Sequence, residues 1–252
     1  MLSFCCKTDK GSVRPNNEDS FIYRTANNNP ENFDIQFYGS LFTIADGMGG
    51  HFAGEVASKM ACDYVLDYYR ISDISDDNTW EKLKGLFFKI NEIILRRSFD
   101  VSEFNGMGTT LTTLIIRKNK AWVSHVGDSR VYLIRNEEMT QISYDHTEIQ
   151  RLIDQGLFTK QETERSPARN ILTQAIGVDN RLSVFTWAET IQQNDMFLLC
   201  SDGLYDMMTD DHILSIIKAK EQHLEKTCKQ LIDEAINAGS KDNISVILVK
   251  IN

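Results

Sequence analysis

The sequence predicts an α+β fold in which an antiparallel sheet core is covered by helices. Short β-branched and aromatic segments follow one another along much of the chain, separated by turn residues, which is typical of antiparallel strands. The helical patterns are grouped in two pairs and do not alternate with strands as they would in βαβ units. With 252 residues, 42% of them hydrophobic, the chain can bury a full core as one large domain or two small ones.

The first helical pair is predicted in the first half of the chain. Across residues 55–70, apolar pairs recur every four residues, as one buried helical face requires. A second pattern of leucine, isoleucine and phenylalanine runs over residues 83–98, and its apolar face is too wide for a surface helix. We expect these two helices to pack together. The polar residues 26–32 before them predict a connection between two strands.

Strands dominate from Thr109 onward. The segments TTLTTLIIR, KAWVSHV and RVYLIR predict an antiparallel meander. A polar stretch over about 145–177, expected to be mostly helical, interrupts these strands before LSVFTWAET and DMFLLCSDG resume them. The second helical pair is predicted over Asp210–Ala219 and Leu224–Ala238, and a further strand over Asn243–Ile251.

The charge balance and the cysteines limit partners and compartment. Asp and Glu number 36 against 27 Lys and Arg, which gives a net charge of -9. Binding to a phosphate backbone needs basic surface that releases counterions, so we expect no nucleic-acid partner. Five cysteines without a C-x-x-C pair suit reduced thiols. No apolar run approaches the ~20 residues of a membrane helix, so we expect a cytoplasmic protein without membrane contact.

Four aspartates share one local pattern at the edges of predicted strands. They are Asp46 in TIADGMGG, Asp128 in SHVGDSRV, Asp202 in LLCSDGLY and Asp242 in GSKDNISV. In two of them an apolar strand runs into Asp-Gly, and glycine lets a ligand approach the backbone closely. Each aspartate alone could also form a turn or cap a helix. Brought together, such carboxylates repel unless cations neutralise them, and all-oxygen sites suit Mg²⁺ or Mn²⁺.

A dinuclear metal centre is the interpretation that accounts for all four acids. Two such ions, about 3.5 to 4 Å apart, can lower the pKa of a bound water and hold phosphate oxygens for in-line attack. Near the N-terminus, SVRPNNEDS offers the guanidinium of Arg14 for phosphate, with Glu18 and Asp19 able to orient water on the metals. Taken alone, this string is more typical of a surface loop of mixed charge.

The whole set of motifs resembles one known family. In chain order the motifs are RPNNED, ADGMGGHFAGEVAS, GMGTTLT, VGDSRVYLIR, DHT, RNILTQAIG, LLCSDGLYD and KDNISVILV. They span nearly the whole chain and are similar to the type 2C metal-dependent protein serine/threonine phosphatases (PPM type), in their compact bacterial branch. The resemblance implies one catalytic domain over residues 1–252 with four α/β/β/α layers: a central antiparallel β-sandwich flanked by helical pairs. It also implies a flap subdomain at about 145–177, including Arg169, where substrate choice could be made.

The resemblance implies an activity and assigns roles to single residues. The enzyme would hydrolyse phosphoserine and phosphothreonine in proteins, with a cognate serine/threonine kinase or its substrates among its partners. Asp46 would bridge two Mn²⁺ or Mg²⁺ ions. The full set of implied metal ligands is Asp46, the backbone carbonyl of Gly47, Asp202, Asp242 and, for a third, looser ion, Asp128. The residues implied to bind phosphate or metal-held water are Arg14, Glu18 and Asp19.

One position departs from the family pattern. Many eukaryotic relatives carry histidine after Asp-Gly as a proton donor to the leaving alcohol, whereas Met48 stands here and cannot donate a proton. His51 could take that part, or could only fix the turn, and a water on the metal could serve instead. We therefore do not assign His51 as catalytic.

Other protein classes were weighed against this interpretation. A catalytically weak pseudophosphatase would keep the fold and bind phosphoproteins as a regulatory module, but the complete set of Asp46, Asp202 and Asp242 argues against it. A cysteine-dependent phosphatase needs Cys followed six positions later by Arg, and none of the five cysteines has that neighbour. No G-x-x-x-x-G-K-[ST] string is present, so the sequence does not support a P-loop nucleotide enzyme.

Overall fold

The computed structural model describes residues 2–25, 39–49, 53–71, 78–159, 162, 170–220 and 223–252. The strands in these ranges are β1 (Leu2–Asp9), β2 (Asp19–Arg24), β3 (Ser40–Met48), β4 (Gly108–Thr109), β5 (Leu111–Arg117), β6 (Lys120–Val126), β7 (Arg130–Arg135), β8 (Glu138–Gln141), β9 (Phe185–Thr190), β10 (Met196–Cys200) and β11 (Ile244–Ile251). The helices are α1 (Ala53–Ile71), α2 (Thr79–Asp100), α3 (Glu148–Asp154), α4 (Asp202–Tyr205), α5 (Asp210–Ala219) and α6 (Leu224–Asn237). Within this part of the chain, no helix combines the length and apolar character of a membrane span.

The strands form two antiparallel sheets. The first has the order β1–β11–β10–β7–β8, so the strand at the C-terminal end of the chain lies between β1 and β10. The second has the order β2–β3–β5–β6–β9, with the two-residue β4 paired to the end of β3. The prediction of an antiparallel α+β fold is confirmed.

Three apolar clusters define four layers. The cluster between the sheets contains Phe42 and Leu114 from the second sheet and Phe197 and Val249 from the first. A second cluster joins the outer face of the second sheet to α1 and α2, and a third joins the first sheet to α4, α5 and α6. The order is therefore helices, sheet, sheet, helices, as the family resemblance implied.

The predicted helices form because their buried side chains recur at helical spacing. In α2, Leu83, Leu86, Phe87 and Ile90 are buried at intervals of three and four residues. The side chain of Thr209 caps α5 by accepting a hydrogen bond from the backbone N–H of His212. The predicted bounds of α5 agree with the structure, and those of α6 differ by one residue.

Two expectations about the middle of the chain are wrong. The predicted meander breaks at GDSR, because β6 belongs to the second sheet and β7 to the first. Gly127 makes this crossing with φ +113°, a backbone conformation that favours glycine. The stretch 145–177 is not mostly helical in its described part, where 170–177 is non-helical and pairs through isolated bridges to Thr109 and Thr147.

Three sequence-based expectations fall outside the described residues. These are the connection at 26–32, His51 with its possible proton-transfer role, and Arg169 in the flap.

Candidate metal centre

Asp46 lies inside a strand and not in a turn. In the register of β2 with β3, it stands directly opposite Asp19. Its backbone is held by the break between β4 and β5: Asp46 N–H donates to Thr110 Oγ1 (2.8 Å), and Asp46 O accepts from Thr110 N–H (2.8 Å) and Thr109 Oγ1 (2.8 Å). These bonds satisfy the main chain without the carboxylate. The interpretation of Asp46 as a turn-former is therefore wrong.

Asp202 and Asp242 come from neighbouring strands of the first sheet. Asp202 is the first residue of α4 and is separated from the end of β10 by one residue, and Asp242 lies two residues before β11 begins. The two Asp-Gly glycines are required by close packing of the protein backbone. A Cβ added at Gly47 would lie 2.1 Å from the carbonyl oxygen of Gly54, and one at Gly203 would lie 2.1 Å from that of Asn243. Protein backbone therefore fills the space that we expected to be open to a ligand.

Asp128 occupies the turn in which the chain changes sheets. Its side chain is buried, and its carbonyl oxygen accepts a hydrogen bond from the hydroxyl of Tyr205 (3.1 Å). The guanidinium of Arg130 lies over the ring of Tyr205, with 3.7 Å between Arg130 Cζ and the ring centroid, and pairs with Asp145 (Nη2 to Oδ2, 2.7 Å). Tyr205, Arg130 and Asp145 thus form a network of aromatic and charged groups that packs against the Asp128 turn.

The aspartates act on one another electrostatically. Burial raises the pKa of Asp46 well above its usual range, and the charges of Asp19, Asp202 and Asp128 raise it further. Burial, then the charges of Asp128 and Asp242, raise the pKa of Asp202 in the same direction. The pKa of Asp19 rises to about 6, chiefly through burial, and that of Asp128 to about 7, through burial and the charge of Asp145.

Two buried carboxylate oxygens of this cluster have no hydrogen-bond partner within the described residues. They are Asp19 Oδ1 and Asp202 Oδ1. A buried carboxylate oxygen left in this way is costly, and a divalent cation would satisfy it. The donor set therefore fits hard cations such as Mn²⁺ or Mg²⁺.

The carboxylates do not form a finished cage. Among the described residues, no three His, Cys, Asp or Glu side chains are arranged to hold a metal ion as they stand. Asp242 instead pairs with Arg14, whose Nη2 lies 2.5 Å from Asp242 Oδ2. The structure thus brings Arg14 to the acidic cluster, and a cation at Asp242 would compete with its guanidinium for the same oxygen.

Glu18 also reaches the cluster. Its carbonyl oxygen accepts a hydrogen bond from the N–H of Gly47 (3.1 Å), and its carboxyl carbon would lie 2.9 Å from a Cβ added at Gly54. Burial raises the pKa of the Glu18 carboxyl. Glu18 therefore joins Arg14 and the aspartates at the ends of β3, β10 and β11. Asp128, in the turn between β6 and β7, is near enough for its charge to act on Asp46 and Asp202.

Two polar residues at this site were missed in the sequence. Ser201 Oγ donates to Asp19 Oδ2 (2.8 Å) and accepts from the N–H of Ser245 (3.0 Å). Asn243 binds the N-terminal loop through its carboxamide. Their position beside a candidate ligand, in the strings SDG and KDN, was the available signal. Neither string shows what the side chain contacts, because the partners lie far away in sequence.

Comparison with known proteins places the chain in a family. The family described as protein phosphatase 2C matches residues 32–240. Serine/threonine phosphatase stp of Listeria welshimeri is 34% identical over 251 residues, covering 98% of this chain and 94% of that protein. The chain belongs to the protein phosphatase 2C family. The resemblance drawn from the motifs, and with it the prediction of an enzyme of this class, is confirmed.

Solved structures of bacterial phosphatases of this family share the whole fold. Serine/threonine phosphatase Stp1 from Staphylococcus aureus has a TM-score of 0.89 and 32% identity, covering 100% of this chain and 96% of that one. The catalytic domain of the phosphatase PstP, solved in complex with 2 manganese ions, has a TM-score of 0.82 and 31% identity and covers 100% and 99%. The four-layer architecture is thus common to this family member and to its solved relatives.

Proposed function

We propose that this family member hydrolyses phosphoserine and phosphothreonine in proteins with a dinuclear Mn²⁺ or Mg²⁺ centre. The observation that carries the proposal is the gathering of Asp19, Asp46, Asp202 and Asp242 from separate parts of the chain, with two buried oxygens left unpartnered. The manganese-bound PstP structure supports the choice of metal. A pseudophosphatase is not favoured, because every expected ligand is present.

Each residue of the candidate site has a proposed role in binding metal, phosphate or water. The residues that would hold the two core ions are Asp46, the carbonyl of Gly47, Asp202 and Asp242, with Asp128 for a third, looser ion. These ions would supply the Lewis acid that acidifies the attacking water and neutralises phosphate charge. Arg14 would bind the substrate phosphate through its guanidinium, since a planar fork of N–H donors matches phosphate oxygens. Glu18 and Asp19 would orient water by accepting hydrogen bonds from its O–H groups.

Substrate choice is assigned to the flap at about 145–177. Both described ends of this segment are fixed next to the acidic cluster. Thr109 and Ile176 exchange backbone hydrogen bonds (3.0 and 2.9 Å), and His146 N–H donates to the carbonyl oxygen of Gly127 (2.7 Å). A cognate serine/threonine kinase or its substrates are the proposed partners. A cytoplasmic location belongs to the same proposal and is supported by five free cysteines.

The test is metal-dependent turnover of phosphopeptides. Purified protein should release phosphate from phosphoserine and phosphothreonine peptides with Mn²⁺ or Mg²⁺, and EDTA should abolish this activity. Thiol alkylation should leave it unchanged, because burial raises the pKa of the Cys62 and Cys200 thiols far above neutrality. Full activity after thorough chelation would refute the metal centre, and peptide binding without turnover would favour the pseudophosphatase.

A further inference from the structure

Asn243 is buried between the candidate ligands and the N-terminal loop. Its side chain is only 4% exposed. Its carboxamide binds one segment with both donors and with its oxygen: Nδ2 donates to the carbonyl oxygens of Lys10 (2.9 Å) and Asn16 (2.9 Å), and Oδ1 accepts from the N–H of Glu18 (2.8 Å). One side chain therefore fixes both ends of the loop 10–18.

That loop carries the residues proposed to contact phosphate and water. Arg14 lies at its centre and Glu18 at its end, with Asp19 following as the first residue of β2. The loop is also held by the N–H of Gly47, which donates to Glu18 O (3.1 Å), and by the ion pair of Arg14 with Asp242. Two further bonds, from Asn17 Nδ2 to Thr8 Oγ1 (2.8 Å) and from Gly11 N–H to Asp9 Oδ1 (2.8 Å), are solvent-exposed. Among these contacts, the partly buried bonds of Asn243 are the ones that join a single side chain to both ends of the loop.

The main chain of Asn243 is fixed in turn to both ligand-bearing strands. Its N–H donates to Asp242 Oδ1 (2.9 Å). Its carbonyl oxygen lies so close to Gly203 that a Cβ there would be 2.1 Å away, directly after Asp202. A Cβ at Gly11, on the other side, would lie 2.5 Å from the carbonyl oxygen of Asp242. Asn243 thus contacts the arginine loop with its side chain and the ligand strands with its backbone.

We infer that Asn243 is the positioning residue that sets the phosphate-binding loop in register with the metal-binding aspartates. The inference rests on the proposed function. A carboxamide suits this place because it combines two N–H donors with one acceptor, whereas aspartate would lose both donors and turn a charged oxygen toward two carbonyls. Asn243 does not touch phosphate; it acts through Arg14 and Glu18.

The test compares Asn243→Ala with a matched control, Thr227→Val. Thr227 is also buried, and its hydroxyl donates to the carbonyl oxygens of Lys220 (2.9 Å) and His223 (3.2 Å) in the connection before α6, and not to the loop. Both variants lose a buried hydrogen bond, but only Asn243→Ala should free the loop. We expect kcat/KM for a phosphopeptide to fall about 10- to 100-fold, mainly through KM, because misplacement by about 1 Å has effects of that size. Thr227→Val should change kcat/KM less than twofold.

A double-mutant cycle separates positioning from loss of stability. In an Arg14→Ala background, Asn243→Ala should alter KM less than threefold, because Arg14, through which it affects phosphate binding, is already gone. Multiplicative effects of the two changes would overturn the inference. Asn243→Asp provides a second variant of the same size that retains the acceptor for Glu18 N–H. It should raise KM while Mn²⁺ affinity in calorimetry is kept, and a normal KM in this variant would contradict the inference.

Hydrogen exchange tests the inference independently of catalysis. Amides of residues 10–19 should exchange at least about tenfold faster in Asn243→Ala than in wild type. In Thr227→Val the exchange rates of these amides should be unchanged. Unaltered exchange in the loop would refute the positioning role even in an active enzyme. If wild type turned over no phosphopeptide, the proposed function would fail, whereas faster exchange would still show that Asn243 anchors the loop.

Discussion

Replacing Asp46 by asparagine tests the metal centre with the least change in shape. Asparagine fills the same volume, and the three backbone hydrogen bonds at this position involve no carboxylate oxygen, so they remain. What disappears is a negative charge directly opposite Asp19. We therefore expect loss of metal binding and of catalysis without loss of the fold.

We expect Asp46→Asn to lower activity and to leave the stability of the metal-free protein equal or slightly higher. Losing a metal centre that acidifies the attacking water should lower kcat/KM at least ~10³-fold, equivalent to roughly 4 kcal/mol. In the metal-free protein, like charges directly opposite on paired strands cost about 0.2 to 1 kcal/mol, which Asp46→Asn relieves. For a chain of this size, that corresponds to a melting temperature between unchanged and about 4 °C higher.

Three measurements on Asp46→Asn and wild type decide the matter: calorimetric Mn²⁺ binding, melting temperature without metal, and phosphopeptide turnover. Asp179→Asn is the control, because Asp179 Oδ1 accepts a hydrogen bond from the N–H of Arg181 (2.8 Å) in a true turn. Because asparagine keeps this acceptor and loses only an exposed ion pair with Arg181, Asp179→Asn should change the melting temperature little and keep turnover. A lowered melting temperature with near-normal turnover in Asp46→Asn would refute the reasoning.

Two further predictions concern the arginine and the buried histidines. Arg14→Ala should raise KM about 10- to 100-fold, since a hydrogen bond to a charged group is worth roughly 1.5 to 3 kcal/mol; an unchanged KM in steady-state assays would remove Arg14 from the phosphate site. Burial lowers the pKa of His125 to about 3 and of His146 to about 4. Between these values and the unfolded pKa near 6.5, the unfolded chain binds more protons than the folded chain. The contribution of the neutral histidines to the free energy of unfolding is therefore complete above about pH 6.5 and is lost as pH falls. By pH 5 the loss of folding free energy amounts to up to about 2 kcal/mol per histidine. Denaturant titrations from pH 7 to 5 should show a shallower decline in His146→Asn than in wild type, and equal slopes would contradict the assignment.

Several features of this protein were determined by local sequence. Residues 55–70, 210–219 and 224–238 were predicted as helices, and the structure has helices there with ends within about two residues. Apolar spacing of three and four residues is a local property, because one helix face must be buried whatever it packs against. The motifs likewise named the aspartates and Arg14, since their residue types at strand ends are readable without knowing any partner.

The tertiary structure decided which of these elements meet. The runs that form β6 and β7 look like consecutive strands of one sheet, yet they belong to different sheets, because alternation of side chains shows that a strand has a buried face and not which sheet it joins. The bond between Asn243 and the N–H of Glu18 spans 225 residues, and in sequence that asparagine is only a polar residue after Asp242. Local patterns specify the elements, whereas contacts between distant segments arise only when the sheets pack, and the candidate metal centre is made of such contacts.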